Sequence, residues 1–94
     1  MLRRGHSGRV DGNHAAILAA ARSFGWSALS IATVGGGAPD AVLAKGNRTY
    51  LIEIKDGDSK TLTNAEQKFH TDWRGIVYVI RNLADLIALL EVRS

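Results

Sequence analysis

The sequence predicts a single α/β domain: a mixed, mostly antiparallel sheet flanked by helices, in the order α-β-β-β-α-β-α. Three observations carry this. Gly46-Asn47 lies between two runs of β-type residues, which signals a two-residue hairpin turn. Thr63-Asn64-Ala65-Glu66 has the spacing of a capping box and so starts a helix. Ile76-Val77-Tyr78-Val79-Ile80 is a continuous apolar run of strand length.

At 94 residues the chain is about one domain, and 46% hydrophobic with 22% charged residues is globular composition. With no cysteine, disulfides, thiolate catalysis and Cys-type zinc sites are excluded. No apolar run reaches signal-peptide or membrane-spanning length, so no membrane partner and a cytoplasmic location are expected. The net charge of +3 suits a polyanionic partner such as DNA without requiring one.

In chain order, residues 1–10 carry Arg3, Arg4, His6 and Arg9 among glycines and read as a flexible basic arm able to contact phosphate. The domain itself is expected over residues 11–94. Asp11 or Asn13 can cap a first helix ending near Phe24, with Gly25 as its stop and His14, Ile17, Leu18 and Ala21 as its inward stripe. Trp26 to Val34 is rich in strand-forming residues, and Gly35-Gly36-Gly37 breaks it. A P-loop is not indicated, because no Gly-Lys-Ser/Thr follows the glycines. These glycines would instead let the backbone bend or let a bulky ligand approach closely.

The hairpin forces a chemical question. If Lys45 pairs with Arg48, Leu43 falls opposite Tyr50, Ala41 opposite Ile52, and Asp40 opposite Glu53. Opposed carboxylates about 5 Å apart repel by roughly 3 kcal/mol at an effective dielectric near 20. Protonation of one acid or a bound cation would offset this, and Lys55 returns to the same face of the strand. Ala41, Leu43, Tyr50, Ile52 and Ile54 form the opposite, core face.

Beyond the hairpin, residues 56–60 form a loop, and the capped helix carries Ala65, Phe69 and Trp73 as a buried stripe up to Gly75. Gln67, His70 and Arg74 share a neighbouring face, a candidate substrate wall. The run 76–80 is expected to be buried on both faces. Arg81 closes it, and Asn82 caps a last helix from Leu83 to about Val92 with Leu83, Leu86, Ile87, Leu89 and Leu90 as its apolar side, part of it a candidate dimer surface.

Pro39-Asp40, twelve residues, then Glu53-Ile54-Lys55, within this order of elements, resembles the PD-(D/E)XK nuclease superfamily and its small stand-alone VRR-NUC domains of phages and bacteria. The resemblance spans roughly Arg9 to Ala84 and includes Leu62-Thr63 followed by Gln67. It implies a restriction-endonuclease-like core in which Asp40, Glu53 and the main-chain carbonyl of Ile54 hold Mg²⁺ or Mn²⁺. Lys55 would activate water and stabilise charge on the phosphate, and Gln67 would lie over the site as a fourth catalytic residue. Many relatives place an acid in the first helix, where this chain has Asn13 and His14; with His70 these form a candidate additional site. Isoleucine replaces the middle arginine of the tripeptide that names the family, at Val79-Ile80-Arg81.

The implied activity is metal-dependent hydrolysis of DNA phosphodiesters, by a homodimer on branched or duplex DNA, with Arg3, Arg4, Arg9, Lys60, Arg74 and Arg81 as DNA contacts. A non-catalytic nucleic-acid-binding module and a small-molecule phosphoesterase remain open alternatives.

Overall fold

The computed structural model describes residues 13–91, so the basic arm with Arg3, Arg4 and Arg9 lies outside the described residues. The elements follow the expected order: α1 (His14–Ser23), β1 (Ser27–Ser30), β2 (Ala41–Lys45), β3 (Arg48–Ile54), α2 (Asn64–Asp72), β4 (Val77–Ile80) and α3 (Leu83–Glu91). The four strands form one mixed sheet, β1-β2-β3-β4, with β3 and β4 parallel and the other pairs antiparallel.

The hairpin has the register the turn dictates, with Lys45 opposite Arg48, Leu43 opposite Tyr50 and Ala41 opposite Ile52. Because side chains alternate, this puts Ala28, Ala41, Leu43, Tyr50, Ile52, Ile54, Tyr78 and Ile80 on one face. Ile17, Leu18 and Ala21 of α1 and Leu86, Leu89 and Leu90 of α3 complete the core there, together with Trp26. Trp26 stacks on Tyr50 with centroids 5.5 Å apart, and Tyr50 meets Tyr78 edge-on at 5.3 Å. The Arg48 guanidinium lies 4.9 Å from the Trp26 ring centroid and donates to the carbonyl of Leu90, tying the hairpin to the end of α3.

Several expectations are corrected. The strand expected over Trp26–Val34 stops at Ser30, because the Val34 amide turns back to the Ile31 carbonyl before the glycine run. The run 76–80 is not buried on both faces: β4 is a sheet edge, only Ile80 is buried, and Ile76 is 65% exposed. Leu83 is also exposed, so the buried side of α3 is Leu86, Leu89 and Leu90. The expected stripe of α2 fails most clearly. The helix ends at Asp72, three residues before Gly75, since Trp73 is extended, and no residue of α2 is buried.

What seats α2 is a glycine. Gly37 has φ +80°, and a Cβ added there would penetrate the carbonyl of Ala65 in the first helical turn. The close approach at Gly37 is therefore made by protein backbone and not by the bulky ligand expected there. Gly37→Ala adds both a clash and a left-handed backbone at a non-glycine residue, together costing about 1–3 kcal/mol. The expected result is faster amide hydrogen exchange across α2, with the protection of β2 and β3 much less affected.

Candidate functional site

The site lies where the second face of the sheet meets the N-terminal turn of α2. The β2–β3 ladder ends at the Ala41–Ile52 pair, so Asp40 and Glu53 are not a ladder pair as expected. The Asp40 amide donates instead to the carbonyl of Ile52 (2.9 Å), and the Asp40 carboxylate takes over the next position by accepting from the Ile54 amide at 2.7 Å. A side chain has replaced a backbone carbonyl. This lets the chain peel away at Pro39-Asp40 while keeping the amide of Ile54 satisfied. The two carboxylates still interact.

Glu53 is 1% exposed, and among the described residues its Oε1 has no hydrogen-bond partner. Burial, then the neighbouring charge of Asp40 and a hydrogen bond to it, then Glu66, push its carboxyl up to about 9. At neutral pH the protein alone therefore holds Glu53 protonated, which is one of the two ways of offsetting the carboxylate repulsion. The second way, a cation, would draw the same group into its ionised form.

Lys55 is buried beside it. Its amide donates to the Ile80 carbonyl at 3.0 Å, continuing the parallel pairing by one residue. Its Nζ lies 2.8 Å from Glu66 Oε1 and 3.9 Å from Glu53 Oε2. Glu66 was missed as a site residue. Its capping box was legible in the sequence and is present: the Glu66 amide donates to Thr63 Oγ1 (3.1 Å) and the Thr63 amide to Glu66 Oε1 (2.8 Å). A capping glutamate has its carboxylate at the helix N-terminus, and here that terminus faces the site. Burial raises the Glu66 carboxyl, but the hydrogen bonds from Lys55 and Thr63 outweigh it and hold the group below its ordinary value.

Gln67, expected to lie over the site, is exposed. It is one residue, or about 100°, further round the helix, and its side-chain amide donates to the carbonyl of Leu62 at 3.1 Å. His70 is half-buried with Nε2 unpartnered among the described residues, and Arg74 is exposed. Asn13 is at the N-terminus of α1 but makes no side-chain cap; its Nδ2 reaches the carbonyls of Lys55 (3.5 Å) and Arg81 (3.3 Å), joining the ends of β3 and β4. His14 is buried, with Nε2 3.4 Å from Ser30 Oγ and Nδ1 unpartnered. Arg81 is not arranged as a phosphate contact, since its guanidinium holds the carbonyls of Gly57 and Lys60 in the loop after Lys55. Lys60 itself is exposed.

Among the described residues, no three His, Asp or Glu side chains are grouped as a metal site. The expected donor set needs only two carboxylates and a main-chain carbonyl, and these residues do fit a divalent cation. Hard oxygen donors suit Mg²⁺, the buried Glu53 Oε1 is unpartnered, and the site carries a repulsion that a dication would relieve.

No family model, curated protein or solved structure matches the chain. Among the described residues, no helix is long and apolar enough to cross a membrane.

Proposed function

We propose that the chain is a metal-dependent nuclease of the PD-(D/E)XK type that hydrolyses DNA phosphodiesters. One observation carries this reading: a fully buried Glu53 with an oxygen unpartnered among the described residues, set beside Asp40 and Lys55. A buried carboxyl pushed up to about 9 is costly to keep for stability alone. It makes sense where a cation and a phosphate arrive.

Asp40, Glu53 and the carbonyl of Ile54 would hold Mg²⁺ or Mn²⁺, which when bound supplies a nucleophilic water and neutralises charge on the phosphate. The chain's own contribution is positional and electrostatic. The Ile54 amide orients the Asp40 carboxylate. Lys55, fixed at its backbone by Ile80 and at its ammonium by Glu66, brings a positive charge to where negative charge develops on the phosphate. Lys60 and Arg74 stand exposed to meet further phosphates of a polymer.

The test is incubation with linear, flapped and four-way DNA, and separately with a small aryl phosphodiester, in Mg²⁺, Mn²⁺ or EDTA. Cation-dependent cutting of DNA is expected. DNA binding with no cutting under any cation would replace this reading with a binding module, and turnover of the small ester alone would replace it with a phosphoesterase.

We also propose that the protein acts as a homodimer. The second sheet face presents Leu29, Val42, Leu51 and Val77 in one row across the strands, and α2 meets this face through the Glu66–Lys55 pair. Leu29 is 63% exposed, with Ile76 and Trp73 exposed nearby in sequence to β4 and α2. Such a row of apolar side chains is ordinarily covered. Sedimentation equilibrium is expected to give twice the chain mass, and Leu29→Glu to give the monomer; a monomeric wild type would refute the pairing.

A further inference from the structure

The Lys55 ammonium is closely engaged with Glu66 and stands further from Glu53. Its Nζ is at 2.8 Å from Glu66, a charge-assisted hydrogen bond, and at 3.9 Å from Glu53, beyond hydrogen-bonding distance. Glu66 is held firmly enough to make this choice. Its carboxylate is fixed by the Thr63 amide and its amide by the Thr63 hydroxyl, and the first turn of α2 is seated by the Gly37–Ala65 approach. Glu53 meanwhile keeps a buried oxygen with no partner. If Glu66 were neutral, the Lys55 ammonium would turn toward Glu53, 3.9 Å away, and that approach would favour the ionised form of Glu53.

We propose that Glu66 is a positioning residue: it holds the Lys55 ammonium off Glu53 and so keeps the Glu53 carboxylate available to a divalent cation. This rests on the nuclease reading above and adds to it a residue outside the Asp40, Glu53, Lys55 set. The helix cap and the active site thereby share one carboxylate, which sets the order of contacts. The ammonium stays close to the reacting phosphate without occupying the cation's place.

Glu66→Gln isolates this role. Glutamine satisfies the capping box as glutamate does, so the helix start is kept while the charge that holds Lys55 is removed. The experiment is a Mg²⁺ titration followed by thermal melting, which reads cation affinity by mass action without needing catalysis. Five proteins are compared: wild type, Glu66→Gln, Lys55→Met, the double variant, and Thr63→Ala, which loses the cap but retains the Glu66–Lys55 pair. Glu66→Gln is expected to weaken Mg²⁺ about ten-fold, the size typical of a partner one step removed from the metal. Lys55→Met is expected to strengthen Mg²⁺ binding by a factor about five larger in the Glu66→Gln background than in wild type, the non-additivity of residues in contact. Thr63→Ala should bind Mg²⁺ like wild type even if it melts earlier.

Equal effects of Lys55→Met in both backgrounds would overturn the inference and reduce Glu66 to one charge among several. So would a Thr63→Ala variant that loses as much Mg²⁺ affinity as Glu66→Gln, which would mean that only the helix cap matters. A wild type whose melting does not respond to Mg²⁺ would instead fail the nuclease reading, and the inference with it.

Discussion

Lys55→Met is expected to reduce Mg²⁺-dependent DNA cleavage by about 10²–10³-fold, the loss typical of removing one preorganised charge or donor at a developing oxyanion. The Lys55 amide bond to Ile80 is independent of the side chain, so the β3–β4 pairing persists and the variant folds. Methionine keeps most of the aliphatic volume of lysine without its charge, which avoids a cavity between β3 and α2. The kinetic signature matters as much as the size. A charge used mainly in the transition state lowers kcat and kcat/KM together, whereas one used only to attract DNA raises KM and leaves kcat alone. Single-turnover cleavage at saturating enzyme separates the two, and an unchanged single-turnover rate would remove Lys55 from the chemistry.

The second large effect concerns Glu53 and pH. Its folded-state carboxyl is pushed up to about 9 by burial, by Asp40 and by Glu66, while in the unfolded chain it ionises near the ordinary carboxylate value. Across the window between them the folded protein carries a proton that the unfolded chain has released. Stability must therefore fall as pH rises through that window and level off above it. Glu53→Gln mimics the protonated form, so the slope attributable to this group vanishes, and at pH 8 without cation the variant is expected to melt at least about 5 °C above wild type, the equivalent of about 1 kcal/mol in a domain of this size. Added Mg²⁺ reverses the ranking. Wild type gains stability with cation concentration and Glu53→Gln gains little, because the variant has traded a cation ligand for a neutral amide. Melting curves at pH 6 and pH 8, with Mg²⁺ or with EDTA, check all four combinations. A wild type that is no less stable at pH 8 than at pH 6 relative to Glu53→Gln would contradict the burial argument.

Much of this site was legible in the sequence, and the part that was not shares one cause. The hairpin register followed from Gly46-Asn47 alone, because a two-residue turn leaves one pairing, and that pairing brought Asp40 near Glu53 and Lys55 onto their face. Sequence alternation could not show that the ladder ends one pair early, since that depends on the Asp40 carboxylate capturing the Ile54 amide. The helix stripes were read correctly for α1, where His14, Ile17, Leu18 and Ala21 are all buried. They failed for α2, where Phe69 and Trp73 stack on each other at 5.2 Å without being buried. A periodic pattern says which face is apolar, and it does not say that the protein covers it. Glu66 went unread as a site residue for a related reason: which residue of a helix meets the sheet depends on how the helix is docked, and that is set by Gly37, a residue with no side chain to read. Glu66 had one sequence signal, its place in the capping box. That signal was assigned wholly to helix initiation although the carboxylate also binds Lys55.

Arg81 shows the converse. A basic residue at a strand end is a reasonable phosphate contact on charge alone, but the Arg81 guanidinium donates to the carbonyls of Gly57 and Lys60 in the loop after Lys55. Its role is to hold the loop that leaves the site. Arg81→Ala is accordingly expected to loosen residues 57–60 more than it weakens DNA binding.

If Asp40, Glu53 and Lys55 form a cation-dependent phosphodiesterase centre acting on DNA, as proposed, a time course of supercoiled plasmid with wild type and Asp40→Asn, each in Mg²⁺ and in EDTA, will separate the two proteins. Wild type is expected to convert the plasmid to nicked or linear form in Mg²⁺ alone, and Asp40→Asn to convert none under either condition. Cleavage by Asp40→Asn at the wild-type rate, or wild-type cleavage that persists in EDTA, would contradict the proposal.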